Sequence, residues 1–318
     1  MLGNFRGKSM IPVYMINGFL ESGKTEFIQY TIGQPYFQSK MKTLLIVCEE
    51  GEVEYEESLL KKSGTDLVLI EEEEDFTVEK LTELEKQYKP GRIVIEYNGM
   101  WNCKDLALPA NWSVEQQITT IDATSFPMYY TNMKSMVAEM VRKSEMIIFN
   151  RCDGLTELAT FKRNIKAVNP QAEVIFEDAN GEINATLEEE LPFDLNAEII
   201  ELDNTGYGIW YIDTMENLDR YIGKTIQYVA QVLHPKKFPK DYFVPGRLAM
   251  TCCADDMAFL GYACHFKGCQ DIPERSWVKV TAEVKKEYFS DYRAEGPVLY
   301  ATNVVTVKEP KKPVIDFS

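Results

Sequence analysis

A glycine-rich loop with a fixed lysine constrains this chain more than any other sequence feature. Residues Gly18–Thr25 read G-F-L-E-S-G-K-T and match G-x-x-x-x-G-K-[ST] at every fixed position. The loop follows the apolar run Ile11–Ile16 and precedes Glu26–Tyr30, which can continue as a helix. Glycines let backbone N–H groups turn toward a phosphate, and a helix N-terminus adds partial positive charge. The motif therefore predicts a nucleotide-phosphate site.

Each residue of this loop has an expected task. Lys24 is expected to reach the β- and γ-phosphates, and the hydroxyl of Thr25 to ligate Mg²⁺. The alternative is a chance glycine-rich turn, which the strand–loop–helix context disfavours. The predicted nucleotide contacts of the loop are Gly18, Glu21, Ser22, Gly23, Lys24, Thr25 and Glu26.

A second motif begins with a carboxylate at the end of an apolar run. Arg92–Ile95 is followed by Glu96, which opens an E-x-x-G sequence that ends at Gly99. A carboxylate at a strand tip can hold Mg²⁺ through water, and a glycine lets a backbone N–H approach the γ-phosphate. We therefore expect Glu96 and Gly99 beside the phosphate loop.

A third motif indicates which base is bound. Met146–Phe149 is followed by Asn150-Arg151-Cys-Asp153, which matches N-[KR]-x-D. Asp153 can accept hydrogen bonds from both N1 and N2 of guanine, which adenine cannot supply, so the motif favours GTP. Asn150, Arg151 and Asp153 are the predicted base contacts. The alternative is a polar turn at a strand end.

The first half of the chain alternates apolar runs with segments of helical spacing. Near-continuous apolar strands separated by helices are typical of a parallel sheet covered on both faces. The sequence predicts a doubly wound α/β domain. The expected strands are Ile11–Ile16, Thr43–Val47, Leu67–Ile70, Arg92–Ile95, Gln117–Ile121 and Met146–Phe149, with helices at Val78–Gln87 and Lys134–Lys143.

The net charge of the chain and the pattern of predicted helices and strands both change near residue 205. Residues 1–205 carry 19 basic and 36 acidic residues, whereas residues 206–318 carry 15 and 14. We predict an N-terminal tail at 1–10, a nucleotide-binding domain at 11–205 and a small β-barrel domain at 206–318. Leu218–Tyr221 is expected to close a short helix. The expected barrel strands are Lys224–Leu233, Arg247–Cys253, Ala258–Phe266, Trp277–Lys285 and Val298–Val307, with turns that include Pro245-Gly246.

Together these motifs resemble the CobW family of metal-trafficking P-loop GTPases over about residues 11–205. The resemblance includes Cys48-Glu-Glu-Gly-Glu-Val53, in which Glu49, Gly51 and Glu52 match the family pattern and Cys48 and Glu50 do not. It implies that the segment Cys48–Glu56 is switch I, although a solvated acidic turn is the alternative. The residues then expected to act in hydrolysis are Lys24, Glu49 and Glu96, and the expected Mg²⁺ ligands are Thr25, Glu49, Glu52 and Glu96.

One departure from the family affects the metal site. The family carries Cys-x-Cys-Cys shortly after the strand that corresponds to Leu67–Ile70, and this chain has the acidic run Glu71–Asp75 there instead. Thiolates suit Zn²⁺, whereas a carboxylate run suits harder ions or is only solvated. The cysteine motif that would bind the transported metal is therefore absent from the position where the family carries it.

The second domain offers another set of thiols. Arg247–Asp256, followed by Trp277–Thr281, resembles the OB-like C-terminal domain of YcgQ-type permease-associated proteins. A Cys/His set in this domain can bind Zn²⁺ tetrahedrally. The alternative is that these cysteines are small buried core residues. The expected zinc ligands are Cys252, Cys253, Cys264 and His265.

The composition of the chain limits the partners and the cellular compartment that can be expected for it. No apolar stretch approaches the ~18 residues that span a bilayer, and no secretory signal is recognisable, so the chain is expected to be cytoplasmic. The formal charge of −16 argues against nucleic acid as a partner. Seven cysteines cannot all pair within one chain, which suits a reducing compartment.

These observations lead to a functional hypothesis and its alternatives. The resemblance implies a slow Mg²⁺-dependent GTPase with a metallochaperone-like role in zinc trafficking or homeostasis. Its partners would be guanine nucleotide and a metal-receiving protein or membrane permease, and the oligomeric state is open. One alternative is a P-loop ATPase or kinase in which N-R-C-D is fortuitous. Another is a nucleotide-binding adaptor for a transporter, without useful turnover.

Overall fold

The computed structural model describes residues 10–38, 41–104, 106–183, 191–251 and 256–316. The chain divides into two compact units. The first comprises Met1–Leu158 with Gln171–Thr186, and the second comprises Ala159–Pro170 with Leu187–Ser318. The second unit therefore includes residues that precede the change in charge near residue 205, among them the strand Ile200–Glu201, which pairs with the sheet of this unit.

The first unit is built on one sheet in the order β3-β2-β4-β1-β5-β6-β7-β8. All neighbours are parallel except β7 and β8, so the predicted parallel α/β fold is confirmed. Strand β7 was not expected from the sequence. The strands are β1 Ile11–Asn17, β2 Thr43–Val47, β3 Thr65–Leu69, β4 Arg92–Glu96, β5 Trp112–Asp122, β6 Met146–Asn150, β7 Glu173–Asp178 and β8 Gly181–Glu182.

Helices α1 to α6 lie between these strands along the chain, and α7 follows them. Their boundaries follow local signals. The α3 helix begins where the side chain of Thr77 accepts a hydrogen bond from the Lys80 N–H, and it ends at Lys89 in a left-handed conformation. Both predicted helices are present as α3 and α5. The helices are α1 Lys24–Gly33, α2 Glu57–Ser63, α3 Val78–Tyr88, α4 Phe126–Asn132, α5 Lys134–Arg142, α6 Leu158–Val168 and α7 Asn204–Glu216.

The sheet brings polar side chains to one edge. Parallel strands share the direction of their carboxyl ends, and ligands bind in the crevice outside those ends. Strands β1, β4, β5 and β6 end in Asn17, Glu96, Asp122 and Asn150. The phosphate loop and both downstream motifs therefore lie at the same edge, although they are distant in sequence.

The second unit contains a closed ring of five strands in the order β10–β11–β13–β15–β14–β10. The pair β13–β15 is parallel, and the other four are antiparallel. The predicted small all-β barrel is confirmed. The strands of this unit are β9 Ile200–Glu201, β10 Thr225–Leu233, β11 Tyr242–Met250, β12 Met257–Leu260, β13 Cys264–His265, β14 Trp277–Phe289, β15 Ala294–Thr306 and β16 Val314–Asp316.

Two sequence expectations for this unit were wrong. Pro245-Gly246 was expected to be a turn but lies inside β11, where Pro245 is the register partner of Val232. A Cβ at Gly246 would lie 2.3 Å from the Leu260 carbonyl oxygen, so this glycine allows close strand approach. The strand expected at Ala258–Phe266 is divided into β12 and β13.

Helix α7 was also missed, and only a short helix near Leu218–Tyr221 was expected. A 3-10 turn occupies Leu218–Arg220, but the main element is α7 itself. Seven of its thirteen residues are buried, and it contains Gly206 and Gly208. A helix that is buried around much of its surface lacks the amphipathic periodicity from which helices are recognised.

A buried arginine joins the last described strand to the barrel. Arg247 is 2% exposed, and its guanidinium donates to the carbonyl oxygens of Lys312 at 2.7 Å and Val229 at 3.2 Å. Strand β16 pairs in parallel with β11 beside it. The described residues include no helix with both the length and the apolar character needed to cross a membrane.

Candidate functional site

The phosphate loop lies between β1 and α1, as the motif predicts. The Gly18 N–H donates to Asn17 Oδ1 at 2.8 Å, and Gly23 adopts a left-handed conformation with φ of 92°. A Cβ at Gly23 would lie 2.5 Å from Asn150 Nδ2. Only glycine therefore suits this position, both for its backbone conformation and for the space beside it.

Lys24 is 3% exposed and points back into its own loop. Its Nζ donates to the carbonyl oxygens of Gly18 and Phe19, each at 2.9 Å. It also forms an ion pair with the Glu49 carboxylate, which is 11% exposed. The three N–H donors of the ammonium group thus have three acceptors within the chain.

Glu96 lies beside the first turn of α1. Its Oε1 accepts a hydrogen bond from Thr25 Oγ1 at 2.7 Å, and its Oε2 accepts one from the hydroxyl of Tyr55. Burial raises the pKa of Glu96, while the hydrogen bonds from Tyr55 and Thr25 oppose that shift. Burial also raises the pKa of Tyr55 above its ordinary value. Two predicted Mg²⁺ ligands, Thr25 and Glu96, are therefore in direct contact.

The segment 48–56, identified by resemblance as switch I, lies against the phosphate loop. Glu49 reaches Lys24, and the Glu52 N–H donates to Glu21 Oε1 at 3.0 Å. The Glu52 side chain is exposed, and it is not among the described residues that line the cavity at the loop. The structure thus brings Glu49 to the phosphate site and leaves the predicted role of Glu52 without a contact.

The base motif is joined to the phosphate loop by two hydrogen bonds. Asn150 Nδ2 donates to the Ser22 carbonyl at 2.7 Å, and Arg151 donates to the Glu21 carbonyl at 2.8 Å. Both Glu21 and Arg151 have left-handed backbones, with φ of 60° and 55°. Such conformations are strained in non-glycine residues and cluster at ligand sites. These contacts bring the second and third motifs to the first, as expected.

Asp153 lies at the open end of this motif. Its side chain is exposed, and its Oδ1 accepts a hydrogen bond from the Ala179 N–H at 3.2 Å. Asn150 Oδ1 is buried and has no hydrogen-bond partner within the described part of the chain. A buried acceptor without a donor is unfavourable, which makes this a place where a ligand or water donor fits.

Negative charge dominates the cavity between the phosphate loop and the switch segment. Four glutamates, Glu21, Glu26, Glu49 and Glu96, line it, and Lys24 is the one cation among its described lining residues. A phosphate group entering this cavity would meet strong repulsion unless a cation accompanies it. Hydroxyl and carboxylate oxygens are the ligands that Mg²⁺ prefers, so Thr25 and Glu96 suit that ion.

The acidic run and the second-unit cysteines have different environments. All five side chains of Glu71–Asp75 are exposed, as a solvated face would be. Cys264 is fully buried in the hydrophobic core of the barrel, and burial raises the pKa of its thiol. His265 follows on the opposite side of β13 and packs against Tyr242 and Tyr300.

Of the predicted zinc ligands, the structure describes Cys264 and His265, which lie on opposite sides of β13. Cys252 and Cys253 lie outside the described residues. Within the ranges that are described, no three His, Cys, Asp or Glu side chains are close enough to hold a metal ion. A dry core disfavours the thiolate that zinc requires, so Cys264 has the environment of a core residue.

Two residues of the site were missed from the sequence. Tyr55 contacts Glu96, and Asp122 accepts a hydrogen bond from Arg151 at 2.6 Å. Asp122 is the last residue of β5, so its position at a strand tip was the available signal. Tyr55 offered none, because a tyrosine in an acidic loop has no pattern that assigns it to a carboxylate 41 positions away.

Gly99 packs closely against the phosphate loop, and this packing can be tested by substitution. A Cβ at this position would lie 2.3 Å from the Gly18 carbonyl oxygen. We expect Gly99→Ala to lower the free energy of unfolding by about 1–3 kcal/mol and to weaken GTP binding, because the phosphate loop must move. Thermal unfolding and GTP titration would measure both effects. Gly33→Ala is the control, since its Cβ meets only Leu59 Cδ1 at 3.6 Å. Equal stability of the two variants would contradict this packing argument.

Known proteins match both units in sequence. Residues 179–315 match the family described as DUF1980 C-terminal domain. The UPF0703 protein YcgQ of Bacillus subtilis (strain 168) is 22% identical over 109 residues. That match covers 33% of this chain and 38% of the relative, so the chain spans well under half the length of this curated protein.

Solved structures and a second family model complete the comparison. The Zn(II)-bound YjiA GTPase from E. coli is 15% identical with a TM-score of 0.41, covering 92% of this chain and 89% of that chain. Hydrogenase Maturation Factor HypB from Archaeoglobus fulgidus is 17% identical with a TM-score of 0.39, covering 54% and 82%. Residues 12–176, more than half of the chain, match the family described as CobW/HypB/UreG, nucleotide-binding domain. The chain belongs to this GTPase family.

Proposed function

We propose that this protein binds GTP with Mg²⁺, hydrolyses it slowly, and uses the nucleotide cycle in metal trafficking, with zinc as the metal. The observation that carries the proposal is the convergence of Lys24, Thr25 and Glu96 with the base motif at one edge of the sheet. Family membership supports the GTPase part. The metal and the cellular role rest on the resemblance to metal-trafficking relatives.

Guanine specificity is supported by Asn150 and Asp153. The Asn150 side chain donates a hydrogen bond to the Ser22 carbonyl, so the base motif has a fixed position relative to the phosphate loop. Asp153 is exposed beside it, where a carboxylate can accept from the two N–H groups on the guanine edge. Adenine cannot donate in this pattern, so GTP is the preferred nucleotide.

Mg²⁺ is supported by the charge and chemistry of the cavity. Thr25 and Glu96 would hold the ion, with Glu49 as a further candidate ligand. When bound, the ion supplies positive charge that offsets the phosphate oxygens and the surrounding glutamates. The chain itself contributes the Lys24 ammonium and the backbone N–H groups of the loop.

Slow turnover is supported by the same electrostatics. An arginine that contacts the transferred phosphoryl group is worth about 10³–10⁵ in rate in related nucleotide hydrolases. Lys24 is the one positive side chain among the described residues that line this cavity. The isolated chain is therefore expected to hydrolyse GTP slowly and to depend on a partner for acceleration.

The primary test is direct. The purified chain should bind GTP in preference to ATP by calorimetry and release phosphate slowly, and only when Mg²⁺ is present. Hydrolysis of ATP and GTP with equal efficiency would favour the ATPase alternative. Nucleotide binding without any Mg²⁺-dependent phosphate release would favour the adaptor alternative, in which the partner is a membrane permease or a metal-receiving protein.

Zinc binding is proposed for the second unit at the segment that begins with Cys252 and Cys253. We expect the whole chain to retain zinc in native mass spectrometry, and Cys252→Ser combined with Cys253→Ser to lose it, because thiolates bind Zn²⁺ far better than scattered carboxylates. Cys264→Ser is the matched control. It should retain zinc and instead lose about 1–3 kcal/mol of stability from a buried hydroxyl. A zinc-free native chain, prepared with zinc supplied under reducing conditions, would refute this part.

A further inference from the structure

Five contacts hold the segment 49–56 against the phosphate loop, α1 and β4. Three are described above: from Glu49 to Lys24, from the Glu52 N–H to Glu21, and from the Tyr55 hydroxyl to Glu96. Gln29 of α1 binds the segment twice, because its Nε2 donates to the Glu54 carbonyl at 3.3 Å and its Oε1 accepts from the Glu56 N–H at 2.9 Å. The segment is therefore docked along its whole length.

The most consequential of these contacts is the ion pair between Glu49 and Lys24. All three donors of the Lys24 ammonium are used, two by carbonyls of its own loop and one by the Glu49 carboxylate. A phosphate that binds this lysine needs one of those donors. The loop carbonyls are fixed by the backbone, whereas Glu49 is carried by the docked segment. Glu49 is therefore the acceptor that a phosphate must replace.

Charge makes this competition strong. The Glu49 carboxylate and a phosphate oxygen are both anions that form charge-assisted hydrogen bonds with an ammonium group. Both cannot hold the same donor, and the two anions repel each other at contact distance in a partly buried site. The docked segment also forms one wall of the cavity through Glu49, Gly51 and Val53.

From these contacts we propose that Glu49 is an internal substitute for a nucleotide phosphate, so that the docked segment 49–56 closes the site and must be displaced for nucleotide to bind. This inference rests on the proposed guanine-nucleotide function and assigns its regulation. Tyr55 is a positioning residue in this arrangement, because it ties the segment to Glu96. With the segment docked, the chain is self-inhibited, and displacement of the segment opens the site.

The inference is separable from a role of Glu49 as a Mg²⁺ ligand. A ligand role makes Glu49 helpful only when Mg²⁺ is present. A substitute for phosphate makes Glu49 harmful to nucleotide binding when Mg²⁺ is absent. Binding of guanosine diphosphate in EDTA therefore isolates the competition with Lys24, and no hydrolysis enters the measurement.

The test uses the full chain, a fluorescent guanosine diphosphate and stopped-flow mixing in EDTA. Glu49→Gln removes the charge and keeps the shape, and it should raise both the association rate and the affinity, the latter about tenfold. Tyr55→Phe should shift both in the same direction by less. Glu50→Gln is the matched control, because Glu50 is the exposed neighbour and its substitution removes an equal charge.

Each outcome is decisive. Faster and tighter binding to Glu49→Gln, with Glu50→Gln equal to wild type, supports the inference. Equal binding of guanosine diphosphate by wild type, Glu49→Gln and Glu50→Gln in EDTA overturns the inference and leaves the proposed function intact. Equal gains in Glu49→Gln and Glu50→Gln also overturn it, because they reflect net charge alone. If neither wild type nor Glu49→Gln binds guanine nucleotide under any condition, the proposed function fails and the inference fails with it.

Discussion

Lys24→Ala is expected to weaken GTP binding at least ~100-fold, because it removes the one side-chain cation of the phosphate cavity among its described lining residues. Charge-assisted hydrogen bonds contribute about 1.5–3 kcal/mol each, and 1.4 kcal/mol is a factor of ten in affinity. The ammonium is expected to make more than one such bond to the β- and γ-phosphates. Isothermal titration of GTP into the purified variant measures the loss.

The variant needs a check of folding, because Lys24 is also a structural partner. Its removal leaves the Glu49 carboxylate and two loop carbonyls without their donor. Breaking such a pair is destabilising when the remaining charge is buried. Circular dichroism should show a native spectrum at the titration temperature. Lys42→Ala is the control, since Lys42 is exposed and pairs with Asp66 at the surface. Wild-type GTP affinity in folded Lys24→Ala would mean that the phosphate loop has been assigned wrongly.

Asp153→Asn is expected to exchange the preferred base. The variant should bind GTP about 10- to 100-fold more weakly, because the side-chain amide no longer accepts from both N–H groups of guanine. It should bind xanthosine triphosphate better than wild type, because the amide offers a donor to the 2-oxo group of xanthine. Competition against a fluorescent nucleotide measures the two affinities in one experiment.

Weaker binding of GTP together with tighter binding of xanthosine triphosphate distinguishes a change in base recognition from a loss of stability. A variant that is only destabilised would lose affinity for both nucleotides. Asp66→Asn on β3 controls for the removal of one surface carboxylate, and it should leave both affinities unchanged. If wild type binds ATP and GTP equally well, the guanine assignment is refuted regardless of how Asp153→Asn behaves.

The parts of the site that the sequence predicted are those encoded by short motifs next to strands. Lys24 and Thr25 follow β1, Glu96 ends β4 and Asn150 ends β6, so one geometric rule places them together. The contact between Tyr55 and Glu96 follows no such rule. It depends on the path of an irregular segment, which periodicity and composition do not determine.

The sequence predicted the β-barrel class of the second unit, but it predicted the bounds of its strands and helices less well. Adjacent residues of a strand point to opposite faces, and Cys264 lies inside the barrel with His265 on the other side of β13, although the sequence prediction had grouped both as zinc ligands. Pro245 and Gly246 were assigned to a turn by composition, yet tertiary contacts with Leu260 and Val232 keep them within β11. Helix α7 was hidden because its burial removes the apolar stripe that usually reveals a helix.

Arg247 on β11 binds the Lys312 carbonyl just before β16, and this contact makes the order of synthesis matter. The two segments that form the first unit end near residue 186, so that unit can fold while the rest of the chain is being made. Strand β11 ends at Met250, but β16 begins only at Val314. At 5–20 residues per second the ribosome needs roughly 3–13 s to cover that distance. For those seconds the guanidinium lacks the Lys312 carbonyl that it holds in the finished protein. The barrel is therefore still incomplete after the first unit can fold, and its apolar surface is open to aggregation during that interval.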